Sequence, residues 1–164
     1  MWTIVSATVL RDPQGNFSGS FAMLTDITES KHAQSRLKEA YDIINRSPAV
    51  VFLWKNAEGW PVELVTDNVE ILFGYKPEAF TSGEVSYAST VHPDDLGRVA
   101  EEVADYSRDK SRLAFDHEPY RILTKDGKTK WVNDSTIIRR NDKGEITHYQ
   151  GILFDITERK RSEA

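Results

Sequence analysis

The chain has 164 residues, of which 39% are hydrophobic and 10% aromatic, enough for the packed core of an ordinary domain. Its formal net charge of −5 and the lack of a basic stripe argue against a nucleic-acid surface. Cysteine is absent, which excludes disulfides, cysteine-ligated zinc, thiol catalysis and flavin chemistry through a cysteine adduct. No apolar run approaches membrane length and no signal-peptide pattern is present, so we expect a cytoplasmic location without direct membrane contact, although a longer parent can be membrane-anchored elsewhere.

The start of the chain predicts a β-hairpin. Residues 2–10 and 16–27 have strand character, and the turn between them contains Pro13, which presets φ, and Gly15, which supplies a positive φ. Two strands alone are marginally stable in water. We therefore expect the hairpin to pack on the following domain, on the connector or on another copy of itself.

A helix is predicted over residues 28–45. Thr28 can cap its first turn, and apolar residues then recur every three or four positions. The stripe consists of Ala33, Leu37, Tyr41 and Ile44. Such a stripe suits a short parallel coiled coil, and it suits an amphipathic helix packed on its own domain equally well.

The middle of the chain predicts a strand pair followed by short helices. Residues 49–54 form a continuous apolar run, which predicts a central strand covered on both faces, and residues 62–66 form its hairpin partner. Asp67 and Glu70 have the spacing of a capping box, with Asp67 as the N-cap of a short helix over residues 69–73.

A longer helix and three strands complete the pattern. The helix begins at Pro93, directly after His92, and runs to about Asp109. Its buried stripe is predicted to be Leu96, Val99, Val103 and Tyr106. Three strands follow, over residues 112–123, 129–140 and 145–156. Pro119 places the first of them at a sheet edge. This order predicts an α+β domain whose antiparallel sheet is covered on one face by helices.

Residues 131–160 repeat residues 2–31, with every matched residue 129 positions apart. The two segments share the leading tryptophan, the turn glycine and a closing Asp-Ile-Thr-Glu. A repeat at this spacing indicates a repeated domain, because solenoid units recur every ~20–50 residues. We therefore expect the end of one domain, a connector, one complete domain and the first residues of another connector.

Six short motifs resemble those of a known family. They are Asn68; Phe73-Gly74-Tyr75; Val91 to Asp95; Tyr120 to Ile122 with Lys125 to Gly127; Trp131-Val132; and Asp155 to Arg159. In order and spacing they resemble the PAS domain family, more narrowly the PAS/PAC sensory-box modules of bacterial sensor kinases and GGDEF/EAL-type signalling proteins. The resemblance implies the PAS fold: a five-stranded antiparallel sheet in the order 2-1-5-4-3, with short helices and one longer helix on one face.

The resemblance also implies a domain organisation and a function. Residues 1–27 would be the C-terminal β-hairpin of a preceding PAS domain, residues 28–45 a helical connector, residues 46–157 a complete PAS domain and residues 158–164 the start of the next connector helix. The implied function is a sensory and protein–protein interaction module of a multidomain bacterial signal-transduction protein, which relays a signal through its helical connectors. The alternative is a ligand-free structural spacer that serves dimerisation.

No catalytic motif is recognisable, since the chain has no Ser/His/Asp arrangement, phosphate loop or zinc-protease helix, and we do not expect an enzyme. By the resemblance, the parent would be a sensor histidine kinase of a two-component system or a cyclic-di-GMP enzyme such as a diguanylate cyclase, with its catalytic domain outside this chain. The expected partners are a second copy through the connector helices, adjacent PAS and output domains of the same parent, and a small-molecule ligand. Nucleic acid is not expected.

The closing Asp-Ile-Thr-Glu is predicted to relay a signal into the departing helix. The residues are Asp155, Ile156, Thr157 and Glu158, with Asp26 and Thr28 in the first copy. Thr157 can cap the helix, and the reuse of the same residues before both helices favours a connector role over a cap alone. In the family the aspartate commonly pairs with a basic residue of the domain, which implies a tie between the exit helix and the sheet.

Strand alternation offers a candidate ligand pocket on the last two strands. Its residues are Trp131, Asn133, Ser135, His148 and Gln150. Polar side chains beside apolar ones can fix a small ligand. The alternative is that they face solvent or are satisfied internally, because alternation leaves open which face looks inward. Gly151 indicates a bulge or a close backbone approach.

No cofactor is identified from the sequence. Among the histidines only His148 lies on an inner strand, and a lone strand histidine is more often hydrogen-bonded than a ligand, so haem is not expected. His117 falls on the edge strand and His92 in the turn before the long helix. Asp94 and Asp95 complement the helix dipole, so we expect no metal site there.

Overall fold

The computed structural model describes residues 1–163, which form eight strands and six helices. In chain order they are β1 (Thr3–Arg11), β2 (Phe17–Asp26), α1 (Thr28–Arg46), β3 (Ala49–Lys55), β4 (Val62–Val65), α2 (Val69–Phe73), α3 (Pro77–Thr81), α4 (Tyr87–Thr90), α5 (Pro93–Arg108), β5 (Ala114–Asp116), β6 (Tyr120–Leu123), β7 (Thr129–Arg140), β8 (Ile146–Asp155) and α6 (Thr157–Glu163). The chain divides into two compact units, Met1–Asp42 and a larger unit that begins at Ile43. No helix within residues 1–163 is both long and apolar enough to cross a membrane. Ala164, the end of the predicted second connector, lies outside the described residues.

The first unit contains the predicted hairpin. β1 and β2 pair antiparallel, with Thr3 opposite Asp26. Asp12 Oδ1 accepts the backbone N–H groups of Gln14 and Asn16 at 3.0 and 2.9 Å, which holds the turn. Large apolar side chains are exposed on the hairpin: Trp2, Ile4, Val5, Val9, Leu10, Phe17, Phe21, Met23 and Leu24. No residue of α1 is buried either, so this unit has no core of its own.

The second unit is built on an antiparallel sheet in which the strands run β4-β3-β8-β7, with β5 and β6 both on the far side of β7. This is the predicted order 2-1-5-4-3, and the α+β architecture is confirmed. The predicted third strand over residues 112–123 is two short strands, so the sheet has six strands instead of five. Pro119 lies in the break, where it has no N–H to offer the ladder.

β3 is central in the sheet, but it is not covered on both faces. The side chains on one face are buried and the alternate ones are only partly buried: Val50, Phe52 and Trp54 against Ala49, Val51 and Leu53. The helices pack on the face that carries Phe52. The apolar run therefore has one packed and one half-open face, and the prediction of burial on both faces is wrong.

The predicted capping box at the start of α2 is also wrong. Asn68, and not Asp67, is the N-cap, and its side chain makes no cap bond. The Asp67 N–H instead donates to Asn45 Oδ1 at 2.9 Å. Glu70 is exposed in the first turn of the helix. A tertiary hydrogen bond from the end of α1 thus takes the place of the local cap.

The Asn68 side chain binds the segment between α1 and β3. Its amide nitrogen donates to the carbonyl oxygens of Ile44, Ser47 and Ala49 at 3.0, 3.1 and 2.5 Å. Its Oδ1 accepts the hydroxyl of Thr66 at 2.6 Å. Asn68 is only 6% exposed, so these bonds are shielded from water and hold the entry to the sheet.

We expect the substitution Asn68→Ala to lower the free energy of unfolding by about 2 kcal/mol. The carbonyl oxygens that Asn68 binds would stay buried without a donor, and the loss of their hydrogen bonds to water would then destabilise the folded protein. Urea denaturation measures the change. Asn56→Ala is the matched control, since Asn56 is exposed and makes one side-chain bond, to Ile146 O at 3.1 Å; its effect should stay below about 1 kcal/mol. Equal losses in the two variants would contradict the role of Asn68.

α5 begins as predicted and forms the wall opposite the inner face of the sheet. His92 is its N-cap, and Nδ1 of the ring accepts the Asp94 N–H at 3.1 Å. The predicted stripe is confirmed, with Val99 buried and the others partly buried against the core: Leu96, Val103 and Tyr106. The space that remains between this stripe and the sheet is the cavity described next.

Candidate functional site

A small cavity lies between α5 and the inner face of the sheet. Its volume is about 20 Å³, room for about one water molecule. Five aromatic rings and three polar side chains line most of it: Trp54, Trp60, Tyr87, Tyr120 and Tyr149, with His117, Asp134 and Thr136. Val99 and Val103 of α5 complete the wall. In this conformation the cavity is far below the ~300 Å³ or more of typical small-molecule sites.

Asp134 is the polar centre of the cavity wall, and its exposed fraction is 2%. The Tyr120 hydroxyl donates to Oδ2 at 2.6 Å, and the Thr136 hydroxyl donates to Oδ1 at 3.0 Å. The hydroxyls of Tyr87 and Tyr120 are hydrogen-bonded at 2.7 Å. This short network satisfies a carboxyl group that would otherwise be costly to bury.

Burial raises the pKa of all three acidic groups in this network. It raises the pKa of the Asp134 carboxyl, and the hydrogen bonds from Tyr120 and Thr136 oppose that rise. Burial also raises the pKa of Tyr87 and Tyr120 well above the usual value, because their phenolate forms would lose water in the same way. Both tyrosines are therefore protonated donors at neutral pH.

Two buried nitrogens at the cavity have no hydrogen-bond partner within residues 1–163: Trp54 Nε1 and His117 Nδ1. His117 Nδ1 lies 3.4 Å from Glu102 Oε2, beyond good hydrogen-bond geometry. The sequence placed His117 on the edge strand without a role. The edge position is correct, but α5 covers it and leaves the residue only 5% exposed.

The predicted pocket residues lie on the other face of the sheet. They are Trp131, Asn133, Ser135, His148 and Gln150, and none of them lines the cavity. His148 Nε2 pairs with Glu63 Oε2 at 2.6 Å on that outer face. The structure thus does not bring these residues to the cavity, and a ligand site formed by them stays a prediction. Alternation sorts strand residues into two faces, and the position of the helices decides which face is covered.

Gly151 marks the closest backbone approach at the cavity. A Cβ at this position would lie 2.4 Å from a ring carbon of Trp54 and 3.1 Å from Asp134 Oδ1. The register of β3 and β8 runs without interruption through Gly151, which lies opposite Phe52. Of the two sequence-based alternatives, close approach is therefore correct and a bulge is not.

The predicted relay residues form a compact hydrogen-bonded junction at the start of α6, which we call the exit latch (Trp131, Asp155, Ile156 and Thr157). Asp155 Oδ1 accepts the N–H and the hydroxyl of Thr157 at 2.9 and 2.5 Å. The Trp131 N–H donates to Thr157 Oγ1 at 3.0 Å, and the Ile156 N–H donates to Trp131 O at 2.9 Å. The latch thus joins the first turn of α6 to β7.

The first copy of the repeat forms the same junction at the start of α1, the first latch (Trp2, Asp26, Ile27 and Thr28). Asp26 Oδ1 accepts the N–H and the hydroxyl of Thr28 at 2.9 and 2.5 Å. The Trp2 N–H donates to Thr28 Oγ1 at 3.1 Å, and the Ile27 N–H donates to Trp2 O at 2.9 Å. Four bonds therefore recur, each between residues 129 positions apart from their counterparts.

The family resemblance implied that Asp155 pairs with a basic residue, but no such pair is present among residues 1–163. Among residues 1–163 its side-chain bonds go to Thr157, and Glu158 pairs with Arg161 at 2.8 Å within α6. The basic contact to the junction comes from Lys160, whose Nζ lies 5.1 Å from the ring centre of Trp131. A cation–π contact replaces the expected ion pair.

A second row of contacts reaches Trp131 from α5. Asp95 Oδ1 accepts a hydrogen bond from Arg121 Nη2 at 2.7 Å, and Asp95 Oδ2 accepts one from Arg121 Nε at 2.9 Å. The hydrogen bonds from Arg121 lower the pKa of Asp95 from 3.8 to about 2. The guanidinium carbon of Arg121 lies 5.5 Å from the ring centre of Trp131, so one indole ring contacts cations from both β6 and α6.

The site offers no ready place for a metal ion. No group of three or more His, Cys, Asp or Glu side chains in the described part of the chain is arranged to hold one. Asp94 and His92 form a capping turn instead, with Asp94 Oδ2 3.9 Å from His92 Nδ1.

Comparison with known proteins places the chain in a family. The sequence pattern of the PAS fold family matches residues 62–153, more than half of the chain. The methyl sulfide methyltransferase-associated sensor of Methanosarcina acetivorans is 42% identical over 170 residues, covering 99% of this chain and 17% of that protein. The two-component sensor PprA of Pseudomonas aeruginosa is 25% identical over 153 residues, covering 88% of this chain and 16% of that protein.

The chain thus spans about a sixth of the length of these two relatives. Among solved structures, the N-terminal domain of a diguanylate cyclase with a PAS/PAC sensor from Marinobacter aquaeolei aligns with a TM-score of 0.57 and 26% identity, covering 68% of this chain and 98% of that one. Its similarity agrees with the strand order and the one-sided helix layer described above. The chain belongs to the PAS fold family, the sensory modules found in two-component and diguanylate cyclase signalling proteins.

Proposed function

We propose that residues 46–157 are a sensory module that passes a conformational change in its core to α6 through the exit latch. The duplicated latch carries this proposal. A helix cap needs only a bond from the aspartate side chain to the threonine N–H. Both latches add two bonds between the threonine or isoleucine and the backbone of a tryptophan, which is Trp131 within β7 and Trp2 directly before β1. Those additional bonds couple each helix to its sheet.

Two routes connect the cavity with the latch. Along β7, Asp134 of the cavity wall is three residues from Trp131. On the helix side, α5 lines the cavity and begins near Asp95, which holds Arg121 against Trp131. A displacement of either element therefore acts on the tryptophan whose backbone holds Thr157.

The domain organisation follows from the same repeat. Residues 1–27 are the C-terminal hairpin of a preceding PAS domain, residues 28–45 a helical connector, and residues 158–164 the start of the next connector. In support, β1–β2 has the register of β7–β8, so that Val5 lies opposite Leu24 as Asp134 lies opposite Leu153. A preceding domain would cover the apolar side chains that the hairpin exposes.

The partners we propose are a second copy and the other domains of a longer parent. α1 exposes Leu37 and Tyr41 of the predicted stripe to 72% and 41%, apolar surface that a parallel helix of a second copy can cover. Two relatives are named as sensors. The parent is therefore proposed to be a cytoplasmic or membrane-anchored sensor histidine kinase or a cyclic-di-GMP enzyme, with adjacent PAS and output domains.

A ligand-free dimerisation spacer is the second candidate. The small volume of the cavity, about 20 Å³, favours it, because side chains already fill the core. The two candidates differ in one physical property. In a sensory module, a change in the core alters α6 through the latch, whereas in a spacer α6 is independent of the core.

The coupling can be measured in this chain with amide NMR signals of α6. Tyr120→Phe keeps the ring of a fully buried residue and deletes the hydroxyl that binds Asp134. We expect it to shift the α6 signals in the wild-type background and to leave them unchanged in a Thr157→Val background, where the hydroxyl bonds of the exit latch are absent. Thr157→Val should also destabilise the first turn of α6 by about 1 kcal/mol, seen as faster hydrogen exchange.

Two controls separate the latch from general damage. Thr157→Ser keeps the hydroxyl and should retain the response. Thr28→Val makes the same chemical change in the first latch and should leave the response of α6 intact. An α6 that responds equally to Tyr120→Phe with and without the Thr157 hydroxyl would refute relay through the latch. An α6 that never responds would favour the spacer.

A further inference from the structure

His117 is a buried titratable side chain that the hydrogen bonds of the core leave unsatisfied. Its side chain is 3% exposed, and Nδ1 has no hydrogen-bond partner within residues 1–163. The ring contacts Phe115 and Tyr120 edge-on, with ring centres 5.1 and 5.6 Å away. Imidazole is the side chain whose charge ordinarily changes between about pH 5 and 8. A proton taken up by His117 would therefore place a positive charge inside the core.

A carboxyl group from each wall of the core lies near this ring. On the helix side, Oε2 of Glu102 in α5 is 3.4 Å from Nδ1 of His117. On the sheet side, Asp134 of β7 lines the same cavity as His117, and its backbone carbonyl accepts the His117 N–H at 3.0 Å. As carboxylates, both groups favour a charged imidazolium over a neutral ring. The helix and the sheet thus each supply an anion for one shared proton-binding side chain.

The other charged groups around the ring leave this arrangement open. Arg98 of α5 binds the far oxygen of Glu102, since Nη1 donates to Oε1 at 2.5 Å. Oε2 accepts the Glu118 N–H at 3.0 Å and still faces the ring of His117. The side chains next to His117 in the chain, Asp116 and Glu118, are exposed. The remaining titratable groups that line the cavity are the hydroxyls of Tyr87, Tyr120 and Tyr149.

We infer that His117 is the proton-binding site of the sensory module, and that proton uptake from solvent draws α5 towards the sheet. This inference rests on the function proposed above and names its signal. A charged ring carries a proton on both nitrogens, so Nδ1–H can shorten the 3.4 Å contact with Glu102 into a hydrogen bond. The same charge attracts the Asp134 carboxylate on the opposite wall. The step adds one proton to the ring and breaks no covalent bond.

α5 also carries the contact that leads to the exit latch. Asp95 in its first turn binds Arg121, whose guanidinium carbon lies 5.5 Å from the ring centre of Trp131. Glu102 follows Asp95 by seven residues, about two helical turns, so both carboxylates lie on the same side of α5. A displacement of the helix at Glu102 therefore also acts on Asp95 and on the contact with Trp131.

The test is a pH titration of this chain from about pH 8 to about pH 5, observed by NMR. The signals to follow are those of the histidine rings, the α6 amides and the methyl groups of Val99 and Val103, which line the cavity from α5. We expect all three sets to shift with the midpoint of the His117 ring. The methyl shifts should be lost in His117→Gln. In Glu102→Gln the midpoint should move to lower pH, because a carboxylate that favours the charged ring is gone.

His148→Gln is the matched control. His148 lies on the outer face of the sheet, where Nε2 pairs with Glu63 Oε2 at 2.6 Å, so its loss should leave the methyl shifts unchanged. Methyl shifts that persist in His117→Gln would overturn the assignment. They would show that the Asp134 carboxyl, whose pKa is raised by burial, is the group that titrates.

The outcomes also separate the proton site from the relay. A His117 ring that does not titrate in this range, or that titrates without moving the methyl groups of α5, would refute the inference. The relay would then still be decided by the Tyr120→Phe experiment. A ring and methyl groups that titrate together while the α6 amides stay unchanged would support the proton site and contradict relay through the exit latch.

Discussion

Replacing Gly151 by alanine is expected to lower the free energy of unfolding by about 2 kcal/mol in urea denaturation. The added Cβ would lie 2.4 Å from a ring carbon of Trp54, so the ring or β8 has to move. The ring has little freedom, because it stacks on Phe52 with centroids 5.1 Å apart and meets Tyr87 edge-on at 4.7 Å. Overpacking of ~1–3 kcal/mol exceeds the ~0.4–1 kcal/mol that alanine gains by restricting the unfolded chain.

Gly97→Ala is the matched control for this change. Gly97 lies in α5, and a Cβ there would meet no atom within 4 Å. Alanine should therefore stabilise the protein by up to about 1 kcal/mol through its higher helix propensity. A Gly151→Ala protein as stable as the wild type would show that the Trp54 ring is not held against β8.

Asp95→Asn is expected to lower the free energy of unfolding by about 2 kcal/mol at pH 7. Asp95 is 8% exposed and accepts three hydrogen bonds from Arg121, two from the guanidinium and one from the backbone N–H. Asparagine removes the charge and leaves the guanidinium partly unpaired. Because Arg121 also contacts Trp131, the variant should loosen the approach to the exit latch as well.

The stabilisation of the folded protein by Asp95 should decrease as the pH is lowered. Hydrogen bonds from Arg121 lower the pKa of Asp95 in the folded protein to about 2, from 3.8. The unfolded chain therefore binds a proton more readily than the folded one. The contribution of the Asp95 carboxylate to the stability of the folded protein is therefore complete above about pH 4, and it is lost as the pH falls through about 2. The difference in stability between wild type and Asp95→Asn should shrink over the same interval.

Asp94→Asn provides the comparison within the same helical turn. The Asp94 side chain is 77% exposed, and its Oδ2 lies 3.9 Å from Nδ1 of the His92 ring. Its loss should change stability by about 0.5 kcal/mol or less, the magnitude of an exposed dipole interaction. A difference between wild type and Asp95→Asn that stayed constant down to pH 2 would contradict the ion-pair explanation.

The residues that form the two latches could be singled out from the sequence because the chain contains them twice. The repeat of Asp-Ile-Thr before two helices pointed to a junction, and Thr157 and Thr28 are at the centre of the two latches. The partner of the threonine was not predictable. It is a backbone N–H of a tryptophan far away in the chain, and any residue other than proline supplies such a group.

The cavity could not be found in the same way. Alternation separated Asn133 and Ser135 from Asp134 and Thr136 correctly, but the two sets are equally polar. His117 was predicted only to lie on the edge strand, and in the structure it is buried at the cavity. A buried aspartate also runs against the general preference for exposed carboxylates, so no sequence pattern indicated that Asp134 faces the cavity.

The sequence by itself determined most of the helices and strands, the start of α5 and the repeated residues before α1 and α6, while the strand order came from the resemblance to the PAS family. Those features depend on short-range patterns: apolar runs, turn residues, a proline at the first helical position and a repeat. Tertiary structure alone decided which face of the sheet is covered, where Asn68 and Arg121 find their partners, and how little space remains beside Asp134. These features depend on contacts between residues distant in the chain, and no local pattern specifies which of several chemically equivalent groups will meet.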